Sequence, residues 1–481
     1  MKITVNEKKG IKVLPVFEDD LNFFEKSEGL DALVEKEYFT GKASEVFTKL
    51  GEDEIIYLGL GKKDEITTKK IIVAFFELAK ALRKYKIKDA NIIFNKKLDN
   101  ICYRTTMKAI VDGLACFDYD FDKYLAEDKK PTKLGTINIE VIEDKKDKAM
   151  SAIEEGMNIA EGYSLTKDLV NTPAIDMYPE VLAKRVKEDL EPLGVTVEVY
   201  GKKEIEDLGM KAFLAVAAGS DKEPKLIVMK YMNGEAGDKL TALVGKGLTY
   251  DSGGYCIKHP QGMATMHMDM GGAGAVIGAM HAIAKNKVKK NVVAVVASCE
   301  NLISGKAYKT GDLIGSMSGK TIEVANTDAE GRLTLADAIY YASDVLKADR
   351  IVDLATLTGA CVVALGSYRT GVVTNNDEFM NEMNEASVRA DEKLWVMPND
   401  DEYKDMVKGT MTDLLNSVPG GAGMITAGMF LENFVKEGTP WIHMDIAGTS
   451  DTSKDYAQYK KGSTGVPVKT LYYLVNTEHI C

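Results

Sequence analysis

Short apolar runs alternate with longer amphipathic stretches in the first part of the chain, and this alternation limits the fold more than any other feature. Residues 55–60 and 91–94 are short apolar runs of the kind that form buried strands. Residues 67–85 and 103–117 carry apolar side chains at the spacing of one helix face. The alternation resumes after residue 171. It predicts an α/β fold, in which helices connect the strands of a sheet.

A charge-rich stretch at residues 120–148 lies between the two regions of this pattern. It contains Lys129-Lys130-Pro131 and five consecutive charged residues at 144–148, which we interpret as a solvated connection. We therefore predict two domains. The smaller is an N-terminal α/β domain at residues 1–147. The larger, at residues 148–481, has a mixed central sheet flanked by helices, and residues 148–170 form a connecting helix.

Charge and hydropathy exclude several classes of protein. The chain has 61 Lys and Arg against 73 Asp and Glu, a net charge of −12. Such a chain binds nucleic acid and anionic membrane surfaces poorly. No apolar run approaches the roughly 20 residues of a bilayer span, and residues 1–9 become charged too early for a secretion signal. We expect a cytoplasmic protein with no membrane partner and no nucleic-acid partner.

The cysteines and histidines limit the kind of metal site that the chain can hold. The six cysteines contain no C-x-x-C pair, and without a secretion signal we expect them to be reduced thiols. They are Cys102, Cys116, Cys256, Cys299, Cys361 and Cys481. Only five histidines occur, and no two have metal-ligand spacing. Any metal site must therefore be built mainly from carboxylates.

The glycine-rich segment at residues 242–258 is the first of three that place charged residues among apolar ones. We expect a strand that ends in a Gly-Lys-Gly sequence around Lys246, followed by Asp251 and Lys258. A phosphate-binding loop is excluded, because Leu240 and Gly247 stand where that motif requires Gly and Ser or Thr. By itself the segment fits an ordinary loop as well as a functional site.

The other two segments add three carboxylates and an arginine. Asp269 precedes a helix of small residues, where an Asp often serves as a cap. Asp328 and Glu330 are two residues apart in a turn between a predicted strand at residues 321–324 and a predicted amphipathic helix at residues 333–346, so both carboxylates can face one point. Arg332 at the start of that helix suits a small anion. The alternative for Arg332 is a salt bridge to Asp328 or Glu330.

The four carboxylates of Asp251, Asp269, Asp328 and Glu330 would repel one another if they were buried together. Two divalent cations would cancel their charge of −4, and such a pair activates a water molecule near neutral pH. Lys258 and Arg332 would then remain to stabilise an oxyanion that develops on a carbonyl. This is the arrangement of a metal hydrolase.

At these residues the sequence closely resembles the leucyl aminopeptidase (cytosol aminopeptidase) family. The family signature Asn-Thr-Asp-Ala-Glu-Gly-Arg-Leu stands intact at residues 326–333. Further matches occupy residues 244–254, 353–360 and 440–448, with Gly420-Gly421 and Ile425-Thr426-Ala427 before the last of them. The resemblance covers residues 171–471 and implies that the larger domain is the catalytic metallopeptidase domain.

The resemblance also implies metal ligands. Lys246, Asp251, Asp269 and Glu330 would hold one metal ion, and Asp251, Asp328 and Glu330 would hold the other. Lys246 would bind as a neutral amine, because an adjacent cation depresses its pKa. Two divalent ions per chain, zinc or manganese, are therefore expected.

Catalytic and substrate-binding roles follow from the same resemblance. Arg332 would hold a bicarbonate that relays a proton, and Lys258 would polarise the scissile carbonyl. The expected activity is removal of leucine and other apolar N-terminal residues from peptides by a water that two metal ions activate. A homohexamer is also expected. The implied substrate-binding residues are Lys258, Met266, Asn326, Thr356, Leu357 and Gly359.

Three other functions are alternatives to an aminopeptidase: a phosphatase, a DNA-binding protein and an inactive scaffold. Carboxylate-rich sites also serve two-metal phosphatases, and some bacterial relatives add a DNA-binding role that the charge of −12 disfavours. A scaffold without activity is disfavoured because all seven family positions for metal and catalysis are present. Residues 259–267 keep the family's length but not its usual residues, which leaves the preferred N-terminal residue open.

Overall fold

The computed structural model describes residues 1–478, and residue packing divides them into two compact units. The first unit comprises residues 1–160, 454–460 and 478, and the second comprises residues 161–453 and 461–477. Both are α/β, which confirms the predicted fold class. The domain boundary at residues 147 and 148 stays a prediction. Cys481, expected to be a reduced thiol, lies outside the described residues.

The first unit is built on a six-stranded sheet. Its strands are β1 (Lys2–Val5), β2 (Ile11–Val16), β3 (Val46–Lys49), β4 (Ile55–Gly59), β5 (Ala90–Ile93) and β6 (Thr136–Glu140). They lie in the order β1-β6-β5-β2-β4-β3, and only β3 runs antiparallel to its neighbour. The helices are α1 (Leu30–Glu35), α2 (Thr68–Lys84), α3 (Tyr103–Asp118) and α4 (Lys146–Asn171), of which α4 continues into the second unit.

The second unit has a mixed eight-stranded sheet. Its strands are β7 (Thr196–Tyr200), β8 (Lys225–Met232), β9 (Leu240–Asp251), β10 (Asn291–Asn301), β13 (Arg350–Ala355), β14 (Thr370–Thr374), β15 (Leu394–Val396) and β17 (Trp441–Asp445). Smaller ladders use β11 (Leu313–Gly315), β12 (Thr321–Glu323), β16 (Leu414–Leu415), β18 (Asp451–Thr452) and β19 (Gly462–Ser463). The main order is β15-β14-β17-β13-β9-β10-β8-β7.

The second unit also contains several helices. They are α5 (Pro179–Leu190), α6 (Lys202–Asp207), α7 (Lys211–Ala217), α8 (Pro260–Met263), α9 (Gly271–Lys285), α10 (Gly331–Tyr340), α11 (Gly359–Leu365), α12 (Asp377–Ala390), α13 (Asp401–Met406), α14 (Gly423–Glu432) and α15 (Val468–Val475). Residues of α7, α10 and α14 form one apolar core with β9, β10 and β13. Helix α9 contacts β9 and β13 as well as α15.

The central strands meet at one edge of the sheet, and this edge positions the site. Strands β9, β10, β13 and β17 are mutually parallel, so their carboxyl ends lie together. Helix α9 begins against the same edge because Gly272 has no side chain. A Cβ at Gly272 would lie 2.1 Å from the backbone oxygen of Leu354 in β13. In open α/β sheets, ligands bind outside the carboxyl ends of such strands.

Two local predictions are wrong. Strand β9 does not end at the Gly-Lys-Gly sequence but continues to Asp251, because β10 pairs with it along residues 291–301. The helix expected at 333–346 begins earlier, at Gly331, and becomes a π-helical turn at Tyr341–Val345.

Two further predictions concern the cysteines and the membrane. Cys256, Cys299 and Cys361 are thiols in the structure. Within residues 1–478, no helix combines the length and the apolar composition that a bilayer crossing requires.

Candidate active site

The structure brings the carboxylates of the three sequence segments together at this edge. Asp251 is the last residue of β9, and Asp328 and Glu330 lie in the turn between β12 and α10. Each of these three offers an oxygen within 4.8 Å of the others. Asp269, just before α9, joins them through Lys246, whose Nζ lies 2.7 Å from Asp269 Oδ2 and 2.9 Å from Glu330 Oε1.

Lys246 and Lys258 place their ammonium groups among the four carboxylates. Lys246 is buried on β9 and also donates a hydrogen bond of 3.0 Å to the backbone oxygen of Thr356. Its side chain passes over Gly331, where a Cβ would lie 2.4 Å from Lys246 Cε. Lys258 Nζ lies 2.8 Å from Asp251 Oδ2 and 2.6 Å from Asp328 Oδ1. The site therefore has cationic groups on two sides.

Burial and like charge act on the protonation of these groups. Burial, together with the Glu330 and Asp269 carboxylates, raises the pKa of Asp251 above its ordinary range. Burial likewise raises the pKa of Asp269, although Lys246 opposes the shift. Burial opposes the charge of Lys246, but Asp269 and Glu330 outweigh it and raise the pKa of the ammonium. The four carboxylates thus form a site that requires positive charge.

Four buried carboxylate oxygens in this site are available to a further ligand. Asp251 Oδ2, Asp269 Oδ2, Asp328 Oδ1 and Glu330 Oε2 accept no hydrogen bond from any residue that the structure describes. The first three lie at ion-pair distance from a lysine without hydrogen-bond geometry. Buried oxygens of this kind normally have partners, and carboxylate oxygens are ligands of hard divalent cations. The residues present therefore fit divalent metal ions.

Arg332 lies beside the carboxylates with part of its donor capacity unused. It is buried in the first turn of α10 and donates one hydrogen bond of 2.8 Å from Nη1 to the backbone oxygen of Asn416. Its buried Nε has no partner among residues 1–478, and no carboxylate there lies within ion-pair distance of its guanidinium. Burial lowers the pKa of Arg332 to about 10. The structure thus disfavours the salt-bridge alternative and leaves donors for an anion.

A cavity of about 380 Å³ opens over the carboxylates. Among its lining residues are all of the substrate-binding residues implied by the resemblance, namely Lys258, Met266, Asn326, Thr356, Leu357 and Gly359. The loop after β13 supplies Thr356 and Leu357, and Gly359 is the first residue of α11. Thr356 Oγ1 also donates a hydrogen bond of 2.7 Å to Asp269 Oδ1, which ties the cavity wall to the carboxylates.

Asn301 is a supporting residue that the sequence analysis missed. It is fully buried at the end of β10 and is paired with Asp251 in the ladder between β9 and β10. Its Nδ2 donates hydrogen bonds of 2.8 Å to Asp251 Oδ1 and 3.0 Å to the backbone oxygen of Thr327. The backbone N–H of Gly253 donates to the same Asp251 oxygen at 2.8 Å. Asp251 is therefore held with its other oxygen toward the site.

Asn416 supports the signature turn in the same way. Its Oδ1 accepts hydrogen bonds from the backbone N–H groups of Ala325 and Asn326, at 2.8 and 3.2 Å. Its Nδ2 donates to the backbone oxygen of Asn326 at 2.7 Å. No local pattern marks either asparagine, because both act through partners that are distant in sequence. Asn301 ends a strand that also contains Ser298 and Glu300, so its polarity alone does not single it out.

Both halves of the chain match one known family. Residues 164–472 match the catalytic domain of the cytosol aminopeptidase family, and residues 15–128 match its N-terminal domain. The chain belongs to the cytosol aminopeptidase family. It is a metal-dependent aminopeptidase, which confirms the enzyme class predicted from the sequence.

Relatives of this aminopeptidase are similar over nearly their whole length. The probable cytosol aminopeptidase of Clostridium tetani is 50% identical over 476 residues, which cover 98% of each chain. That of Treponema denticola is 50% identical over 483 residues, which cover 99% of this chain and 100% of the relative.

Solved structures of two related enzymes have the same fold. A tomato leucine aminopeptidase mutant superposes with a TM-score of 0.89 at 30% identity, covering 99% of this chain and 97% of that one. The bottromycin maturation enzyme BotP in complex with Mn superposes with a TM-score of 0.87 at 27% identity, covering 97% and 99%.

Proposed function

We propose that this aminopeptidase uses two divalent cations to remove leucine and other apolar residues from the N-termini of peptides. The observation that carries the proposal is the set of four buried carboxylate oxygens without hydrogen-bond partners, on Asp251, Asp269, Asp328 and Glu330. Lys246 and Lys258 offset part of the carboxylate charge in the metal-free chain. If Lys246 gives up its proton to become a ligand, two divalent cations would balance the four carboxylates. The leucine aminopeptidase among the structural relatives supports the substrate class.

Five residues would hold the two ions. Lys246, Asp251, Asp269 and Glu330 would bind one, and Asp251, Asp328 and Glu330 would bind the other. Bound divalent cations lower the pKa of a coordinated water and polarise a carbonyl oxygen. Lys246 would give up its proton to serve as a ligand, because a neighbouring cation reverses the effect of the carboxylates on its pKa. The BotP relative was solved in complex with Mn, which supports manganese, and zinc is the alternative.

Lys258 would act on the scissile carbonyl. Its Nζ lies beside Asp251 and Asp328 at the cavity surface, and the side chain stays partly accessible. A substrate carbonyl placed over the carboxylates would therefore meet an ammonium donor. Such a donor stabilises the negative charge that develops on the oxygen during attack.

Arg332 would hold a bicarbonate that accepts and passes on a proton. Its unpartnered Nε and its place at the start of α10 support this role, because backbone N–H groups at a helix start attract anions. Bicarbonate added to depleted wild-type enzyme should raise activity, and it should leave the Arg332→Ala variant unaffected. A rise in both would assign the effect to another site.

The walls of the cavity suit an apolar first side chain. Met266, Leu357 and Val362 present apolar surface close to the carboxylates. The roles of Asn326, Thr356 and Gly359 in binding the substrate are part of the same proposal. We further propose a cytoplasmic homohexamer with domains at residues 1–147 and 148–481 and without a nucleic-acid partner.

The metal content of active enzyme tests the central proposal. We expect two Mn²⁺ or Zn²⁺ ions per chain, hydrolysis of leucinamide, and no turnover of phosphate esters. The Asp328→Ala variant should lose metal and turnover together. The matched control is Asp401→Ala, which removes a carboxylate whose side chain is 96% exposed on α13. Full leucinamide hydrolysis in excess chelator would refute the proposal, and phosphate-ester turnover without peptide hydrolysis would favour a phosphatase.

A further inference from the structure

The cavity over the metal-binding carboxylates has a fifth carboxylate in its wall, on Asp451, which the proposed mechanism does not use. Asp451 lies in β18, which pairs with β19 at Ser463. Its side chain is half-buried and lines the same cavity as Met266 and Thr356. It is not one of the three carboxylates that lie within 4.8 Å of one another. It also makes no ion pair with Lys246 or Lys258, the lysines that lie among the other four carboxylates.

Asp451 has no cationic partner among residues 1–478. Ser450 Oγ donates a long hydrogen bond of 3.4 Å to its Oδ1. Within the described part of the chain, no Lys, Arg or His nitrogen forms an ion pair with it. Burial raises the pKa of Asp451 accordingly. Partial removal from water thus disfavours the charged carboxylate, and a cation brought beside it would offset that cost.

The side chains next to Asp451 in the chain and in the cavity wall lie close to the metal-site carboxylates. A Cβ at Gly271 would lie 3.1 Å from Thr356 Cγ2 and 3.3 Å from Ser450 Cβ, so these two side chains flank one point at the start of α9. Thr356 itself donates a hydrogen bond to the metal-site carboxylate of Asp269. Thr356 and Ser450 are therefore neighbours in the cavity wall, and Asp451, which follows Ser450 in the chain, lines the same cavity.

The rest of this wall suits the methylene chain of a long basic residue. Met266, Leu357, Val362 and Ala447 line the cavity with apolar surface. Arginine and lysine side chains lay their methylene groups along apolar surface and keep the charged end at a polar position. A carboxylate in the same cavity as these apolar side chains can recognise such a residue, because a guanidinium can donate two parallel hydrogen bonds to it.

We propose that Asp451 admits a second substrate class, peptides whose N-terminal residue is arginine or lysine. The inference rests on the proposed function, because it takes the cleaved residue to lie over the metal-site carboxylates. The apolar walls serve leucine and the methylene groups of arginine alike, and Asp451 adds recognition of the positive end.

Argininamide and citrullinamide test the proposal, because they have nearly the same shape and only arginine is charged. With the metal-loaded wild-type enzyme, kcat/KM should be about tenfold higher for argininamide, the effect of a hydrogen-bonded charged pair. In Asp451→Asn this ratio should fall toward one, mainly through a higher KM for argininamide. Asp451→Glu keeps the charge and should keep a ratio above one. The matched control is Asp401→Asn, which changes an exposed aspartate outside this cavity.

Each result decides the question. A wild-type ratio near one overturns the proposal whether or not the variants fold. A ratio that Asp451→Asn leaves unchanged overturns it as well, once metal content and melting temperature show a folded site. Leucinamide separates this failure from that of the proposed function. If wild-type enzyme hydrolyses leucinamide without discriminating arginine from citrulline, only the role of Asp451 is wrong. If it hydrolyses no aminoacyl amide, the proposed function fails first.

Discussion

Replacing Asn301 with leucine should weaken metal binding without unfolding the protein. Asn301 Nδ2 donates to Asp251 Oδ1 at 2.8 Å, a hydrogen bond to a charged group. Such bonds contribute about 1.5–3 kcal/mol, and loss of a residue that orients a metal ligand typically costs about 10–100-fold in metal affinity. The two ranges agree, because a tenfold change in affinity corresponds to about 1.4 kcal/mol. We expect the dissociation constant for Mn²⁺ to rise by about 10–100-fold.

The fold should tolerate this change because the other partners remain. Asp251 Oδ1 keeps the hydrogen bond from the backbone N–H of Gly253, and the backbone oxygen of Thr327 keeps one of 2.8 Å from the Tyr308 hydroxyl. The substitution also removes Asn301 Oδ1, a buried oxygen without a hydrogen-bond partner within residues 1–478. The melting temperature of metal-free Asn301→Leu should therefore stay close to that of metal-free wild type.

Calorimetric titration with Mn²⁺ and thermal unfolding of metal-free protein measure the two quantities. Asn138→Leu is the matched control, because Asn138 is also fully buried but lies on β6 of the first unit. It donates to Asn91 Oδ1 at 2.5 Å and accepts from Thr4 Oγ1 at 3.1 Å. Its loss should lower the melting temperature and leave Mn²⁺ affinity unchanged. If Asn301→Leu binds Mn²⁺ as tightly as wild type, Asn301 does not position Asp251 for metal.

Three further predictions concern catalysis and pH. Lys258→Ala and Arg332→Ala should each lower kcat by about 10²–10³, with metal content and melting temperature close to wild type. If either variant loses metal or unfolds, that residue is structural. Acetylation of a peptide's N-terminus should block cleavage, because the free α-amine is an expected metal ligand. A chromatographic assay in which the acetylated and free peptides are cleaved at comparable rates would contradict this. Burial raises the pKa of Asp337 to about 7, so folding favours the uncharged form of this carboxyl group. Its contribution to the free energy of unfolding is complete below about pH 4 and is lost as the pH rises toward 7. Between pH 5 and 6.5 the free energy of unfolding of wild type should fall by about 2 kcal/mol relative to Asp337→Asn, and parallel denaturant-derived curves would exclude the effect.

The sequence by itself determined the α/β class and the family, and it predicted the residues of the site. Apolar runs and helical spacing depend on neighbouring residues, which is why elements such as Ile55–Gly59 and Tyr103–Asp118 follow from the local pattern. The spacing of Asp328, Glu330 and Arg332 within one turn is also local, and the signature that contains them indicated the family directly. Metal-ligating residue types at a strand–turn–helix junction are informative without any knowledge of what packs around them.

Only the tertiary structure decided which distant residues complete the site. Asn301 meets Asp251 because β10 pairs with β9, and Asn416 meets the signature turn although the two are far apart in sequence. Asp451 lines the cavity because the chain returns to it after β17. These contacts depend on strand order and register, and no pattern in the neighbouring sequence identifies the residues involved. Sequence spacing specifies which side chains share a turn, whereas the packing of the whole sheet determines which side chains hold them in place.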